Sequence, residues 1–194
     1  MRPRKLRSPL SLVVLGLLAE EPLHPYAMRQ RIKERAYDRI PGVRLASLYD
    51  AVQRMAESGL VSPDGPSREG RRPERVRYVI TTTGRDALEE WVALALADPG
   101  HGEEFPAALS FIHTLGRDRA VELLEGRAAA LARAAEADQT TLAQAERDGV
   151  VPIFLSEHRY QLALRRAEYA WLVTFTEELR TGVLGWPRAE GHHT

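Results

Sequence analysis

Five arginines, Arg68, Arg71, Arg72, Arg75 and Arg77, fall within ten positions and alternate with Gly65, Pro66, Gly70 and Pro73. A guanidinium presents a planar fork of N–H donors that matches phosphate, and it stays charged at every physiological pH. Glycine lets the backbone approach a ligand, and proline keeps the stretch out of regular structure. The cluster therefore suits a polyanion, or else it is a solvated loop. A second set, Ser47, Asp50, Gln53, Arg54 and Glu57, recurs at helical steps. On a helix that enters a major groove, Arg pairs with guanine and Gln with adenine, and Ser47 meets phosphate or a base edge. Asp50 on that face opposes phosphate and can only accept from a base amino group or orient a neighbour. Tyr49, flanked inward by Leu48 and Val52, is split between core and surface.

No catalytic constellation assembles. The six histidines, His24, His101, His113, His158, His192 and His193, form no H-E-x-x-H pair. Gly100-His-Gly102-Glu-Glu-Phe105 lacks the third glycine of a dinucleotide loop, and Gly65-Pro-Ser67-Arg-Glu69 breaks the nucleophile-elbow pattern at its last position. With no cysteine, thiol nucleophiles, disulfides and Cys-containing zinc sites are excluded. The reading is of a chain that is not an enzyme, with no catalytic residue, no metal and no cofactor. His24 and Tyr26 fit a helix start better than a ligand site.

These side chains need elements to carry them. Ser8-Pro9 reads as a cap followed by proline at the first helical position. Leu10, Val13, Val14, Leu17 and Leu18 then predict an amphipathic helix ending at Glu21-Pro22. His24-Pro25 begins a second helix with Met28 and Ile32 inward, ending before Pro41-Gly42. A third runs from about Leu45 to Ser58, stopped by Gly59. Leu60-Val61-Ser62 and Arg75 to Thr81 read as antiparallel strands joined by the arginine-rich stretch. Thr82 or Thr83 caps a fourth helix that reaches Ala97, with Trp91 on its inner side.

Beyond Asp98 to Gly102 the pattern is wholly helical. A short segment, Phe105 to Leu115, precedes a long helix from Arg117 to about Asp148, and the last helix spans Phe154 to about Leu184. Along the last helix, Tyr160, Leu164, Ala167, Trp171 and Phe175 follow steps close to a coiled-coil seam. Leu162, Tyr169, Leu172 and Val173 add a second stripe.

Composition agrees with a folded chain: of 194 residues, 44% are hydrophobic and 28% charged. The formal charge of zero hides a division. Residues 1–81 carry 16 Lys and Arg against 9 Asp and Glu, a charge of +7, and residues 82–194 carry 11 against 18, a charge of −7. A basic half suits a polyanionic partner, and Arg4, Lys5 and Arg7 are candidates for an arm along it. The longest apolar run, Leu12 to Ala19, is far below the ~20 residues a membrane span needs. Glu20-Glu21-Pro22 stands where a leader peptide would have its small-residue cleavage site, so no membrane association and a cytoplasmic location are expected.

Three helices followed by a two-stranded hairpin is the order of a winged helix-turn-helix, with the third helix in the major groove and the hairpin loop at phosphates or the minor groove. The expected fold is mainly α: a winged helix-turn-helix domain with a small two-stranded β-wing over 1–97, a linker at 98–104, a helical dimerisation domain over 105–184 and a flexible tail at 185–194. Several stretches resemble the PadR-type transcriptional regulators. Leu15-Gly-Leu-Leu18 and Pro22-Leu-His-Pro-Tyr26 are similar to the family's opening, with Pro25 where a glycine is usual. Ser47-Leu-Tyr49, Gly59-Leu-Val61, and Arg75, Tyr78, Thr81 and Gly84 resemble its recognition helix, strands and fourth helix.

The resemblance implies a dimeric, usually repressing reader of double-stranded operator DNA whose affinity a small molecule can lower, and it implies a phosphate contact for Tyr49. The expected DNA-binding residues are Ser47, Tyr49, Gln53, Arg54, Arg68, Arg71, Arg72 and Arg75. Tyr160, Leu164, Trp171 and Phe175 are expected at a homodimer contact, or else in the core within one chain. Trp91, Phe105, Phe111, Trp171 and Phe175 line either a pocket for a planar aromatic effector or a dry junction. The alternative function is a ligand-independent winged-helix module that binds another protein.

Overall fold

In the computed structural model, Ser8 lies in extended backbone and its Oγ accepts the Ser11 N–H at 3.1 Å, so α1 (Pro9–Glu20) starts on a cap with proline at its first position. The structure describes residues 6–64 and 76–187. They form two units: one is the chain to Leu96 with Gly100–Leu115, the other Ala97–Pro99 with the chain from Gly116.

In the first unit α1 is the central element. Every residue from Pro9 to Leu18 is buried, so α1 is enclosed on all sides and not amphipathic as its spacing suggests. The reason is that α2 (Pro25–Glu34), α3 (Leu48–Glu57), the strand Tyr78–Ile80 and α5 (Phe105–Ser110) all pack around it. Small residues Ser11 and Gly16 serve the faces that a leucine stripe leaves free. α2 ends well before Pro41, because Ala36 takes a left-handed conformation (φ 55°) and a 3-10 turn, Tyr37–Arg39, follows. The expected start of α3 at Leu45 is also a 3-10 turn, Leu45–Ser47, before the α-helix proper.

β1 (Val61–Pro63) and β2 (Tyr78–Ile80) pair antiparallel, with Val61 opposite Ile80 and Pro63 opposite Tyr78. The other edge of β2 is used too: Tyr78 N–H donates to the Leu23 carbonyl at 2.8 Å, and Leu23 N–H donates back at 3.1 Å. α4 (Thr82–Ala97) begins on Thr81, one residue before the expected cap. Thr81 Oγ1 accepts the Gly84 N–H at 3.0 Å and lies within donating distance of the Gly59 and Leu60 carbonyls at 2.7 and 3.0 Å. Gly84 has no alternative residue, since a Cβ there would run into the Leu60 carbonyl oxygen. Residues Gly100–Leu115, including α5, group with this unit, whereas the sequence places the start of a second domain at 105.

The second unit is an antiparallel helix pair, α6 (Arg117–Arg147) and α7 (Ser156–Thr181), joined through Gly149 (φ 79°) and a 3-10 turn, Pro152–Leu155. Leu142, Leu155 and Leu162 form a core cluster near the turn, with Ala135 and Ala145 against it. Ion pairs cross the pair at Arg159–Glu146, Arg165–Asp138 and Arg180–Glu125. Arg127 is enclosed at 1% exposure; its Nε donates to Glu168 at 2.6 Å and its Nη1 to the Asp98 carbonyl at 2.8 Å. Its charge is thus met before it is buried, as a buried cation requires.

Candidate nucleic-acid interface

α3 divides cleanly. Leu48, Ala51, Val52 and Met55 are buried, while Tyr49, Asp50, Gln53, Arg54 and Glu57 are exposed. Tyr49 is 39% exposed, so its ring is not spent in the core. Ser47 is half-buried at the end of the 3-10 turn and makes no side-chain cap bond. Gln53 Nε2 donates to Glu57 Oε1 at 3.1 Å. Arg54 has no ion pair among the described residues. With Asp50 and Glu57 against Arg54, the outward face of this helix carries a net charge of −1. Attraction to a polyanion must come from elsewhere.

Part of the basic charge of the first half is already used within the fold. Arg7 pairs with Glu104 at 2.8 Å, so it is not part of a free arm; Arg4 and Lys5 lie outside the described residues. Arg31 pairs with Glu21 at 2.8 Å, and Arg35 makes two bonds to Glu20 at 2.6 and 2.7 Å. The bonds to Glu20 raise the Arg35 pKa above its ordinary value. Arg77 donates to the Pro22 carbonyl at 3.3 Å and lies 3.5 Å from Asp64, which makes it an anchor of the hairpin base. Arg29, Lys33, Arg39, Arg44 and Arg54 remain exposed and form no ion pair among the described residues. Arg44, just before the turn that leads into α3, escapes a reading that looks only for clustered arginines.

Arg68, Arg71, Arg72 and Arg75 lie outside the described residues. The ends of their segment are positioned, because the Asp64 N–H donates to the Arg77 carbonyl at 2.8 Å. His24 is the N-cap of α2, its Nδ1 accepting the Ala27 N–H at 3.0 Å, and its ring stacks near Tyr26.

The model of the PadR-like family of transcriptional regulators matches residues 14–90, which run from within α1 into α4. The chain carries a PadR-like regulator domain. Three solved structures are similar to the chain as well. Bacillus subtilis PadR in complex with operator DNA is 19% identical, over 87% of this chain and 97% of that one, with a TM-score of 0.37. Bacillus subtilis PadR in complex with p-coumaric acid is 18% identical, over 89% and 99%, at 0.38. A PadR-like regulator from Bacillus cereus is 16% identical, over 88% and 97%, at 0.38. No curated protein matches the chain.

The resembling motifs of the PadR-like domain now have physical reasons. Gly16 of Leu15-Gly-Leu-Leu18 makes room for Phe111, Leu23 pairs with Tyr78, and Thr81 and Gly84 lock the start of α4 to Leu60. Within this unit Phe105 and Phe111 are buried and Trp91 is half-buried. Phe111 packs against Tyr37 with ring centres 5.6 Å apart. In the helix pair, Trp171 stacks on Phe175 at 4.6 Å. The intrachain core of α7 takes Leu162, Leu172, Thr176 and Leu179. Tyr160 (61% exposed), Leu164 (46%) and Trp171 (43%) are outside it, and Phe175 is half-buried. Among the described residues no helix is long and apolar enough to cross a membrane.

Proposed function

We propose that the chain is a sequence-specific DNA-binding repressor that works as a C2 homodimer. The observation that carries this reading is the division of α3 in a PadR-like winged helix: its core side is complete, and Tyr49, Gln53 and Arg54 are left to solvent. In this reading Ser47 and Tyr49 meet phosphate, Gln53 and Arg54 meet base edges, and Arg68, Arg71, Arg72 and Arg75 neutralise the backbone beside them. A reader of palindromic sites needs two such helices about 34 Å apart or a multiple of that spacing. The exposed stripe of Tyr160, Leu164 and Trp171 on α7, with Phe175 at its end, supplies the surface on which a second copy pairs.

The experiment is a salt titration of duplex binding. Replacing Arg71 and Arg72 together by Ala should weaken all duplexes alike and lower the slope of log affinity against log salt by about 0.9 per lost phosphate contact. A double variant that matches the wild type at every salt concentration overturns the assignment of the wing. Binding to duplex without salt dependence points to a protein-binding module instead.

Ligand control is the finer part of the proposal. An aromatic or planar effector held by Trp91 or by the Trp171–Phe175 pair can weaken DNA binding only by favouring a dimer geometry that mismatches the half-sites. By linkage, operator must weaken the effector by the same factor. Tryptophan fluorescence titrated with planar aromatic acids, with and without operator, tests this. Equal affinity in both titrations rejects it.

A further inference from the structure

The hydrogen bond between Gln53 and Glu57 has a chemical direction. A carboxylate has no proton to give, so the group facing Glu57 must be the Gln53 amide nitrogen, and the amide cannot turn over without losing the bond. Glu57 is the last residue of α3, one helical turn beyond Gln53, and both side chains are exposed on its outward side. The turned amide leaves Gln53 Oε1 free as an acceptor and one Nε2 hydrogen unspent. Asp50, one turn earlier on the same side, is likewise acceptor-only when ionised.

We infer that Glu57 is a positioning residue for base recognition: by holding the Gln53 amide in one orientation, it makes Gln53 a reader of adenine in the major groove. This rests on the DNA-binding reading above. The adenine N6 amino group donates to Oε1, and the remaining Nε2 hydrogen donates to N7. Guanine presents only acceptors, O6 and N7, along the same edge and so faces Oε1 with a lone pair. Glu57 also brings a negative charge toward the duplex, and its repulsion of the phosphates weakens binding to every site alike. The same carboxylate thus lowers indiscriminate binding while it sharpens one position.

The test starts from a selection on random duplexes with the full-length wild type, followed by affinity measurements on the selected site and on each of its single-base changes. The variants are Gln53→Ala, Glu57→Ala and Glu57→Gln. The wild type should prefer adenine over guanine at one position of each half-site by about fivefold to a hundredfold. Gln53→Ala identifies that position by abolishing the preference. Glu57→Ala should lose most of the preference there, keep it at all other positions, and bind random duplex more tightly, most visibly at low salt. Glu57→Gln, whose amide can either donate or accept, should lose part of it. A merely structural role for Glu57 would move all positions together. Full adenine preference in both Glu57 variants, or guanine selected at the Gln53 position, overturns the inference and leaves DNA binding intact. A wild type that selects no site overturns the DNA-binding reading and the inference with it.

Discussion

The ring of Phe111 occupies the space that a Cβ on Gly16 would need, with Cε1, Cδ1 and Cζ all inside contact distance of that position. A helix at the centre of a domain is thereby notched for an aromatic ring that arrives much later in the chain. Gly16→Ala should destabilise the protein by about 1–3 kcal/mol, the cost of overpacking a rigid site. Phe111→Leu in the same background should recover part of that loss, and the non-additivity in a double-mutant cycle by urea unfolding checks the contact.

Thr81 makes a different kind of join. Thr81→Val keeps the shape and removes the hydroxyl that caps Gly84 and reaches the Gly59 and Leu60 carbonyls. The expected cost is about 1–2 kcal/mol in denaturant unfolding. Thr82→Val and Thr83→Val, at exposed positions, should each stay within about 0.5 kcal/mol.

Arg127 should distinguish charge from volume. Arg127→Ala removes both the guanidinium and its packing in the helix pair, and the loss should approach the roughly 3–5 kcal/mol of a broken buried pair. It should fall short of the upper figure because Glu168, 32% exposed, can turn toward water. Arg127→Met refills the space and should cost less than Ala. Thermal melts of the two variants give the comparison.

The exposed stripe on α7 gives a clean separation of folding from assembly. Leu164→Glu and Trp171→Glu change residues that are 46% and 43% exposed in the single chain, so the helical circular dichroism should persist. If a second copy covers the stripe, sedimentation equilibrium should show wild-type dimer and variant monomer at micromolar concentration. A wild-type monomer under the same conditions removes the symmetric reader.

The local signals in the sequence locate most elements. Ser8-Pro9 marks the start of α1, Gly59 the end of α3, and the order of three helices and a hairpin is legible from spacing and turn residues. What local spacing does not show is what packs against an element. The leucines of α1 suggest one apolar stripe, yet α1 is enclosed because neighbours distant in sequence close over its small residues. Thr81 and not Thr82 caps α4 because its hydroxyl is also required at Leu60. Arg127 sits among the apolar positions of α6 without a local sign that Glu168 and the Asp98 carbonyl will meet it. In the candidate interface the residue types on α3 are readable in advance, but the Gln53–Glu57 bond and the pairing of Arg7, Arg31 and Arg35 with acids are not.

The single rung from the Asp64 N–H to the Arg77 carbonyl bears on how such a regulator diversifies. It ties Asp64 to Arg77 at a hairpin base that Tyr78, Leu23 and Arg77 brace from the other side. Closing a loop costs more only with the logarithm of its length, about 0.6 kcal/mol per doubling. Changes of length between Asp64 and Arg77 therefore leave the fold nearly untaxed, so gene duplicates can vary the residues between these two anchors without first acquiring stabilising substitutions.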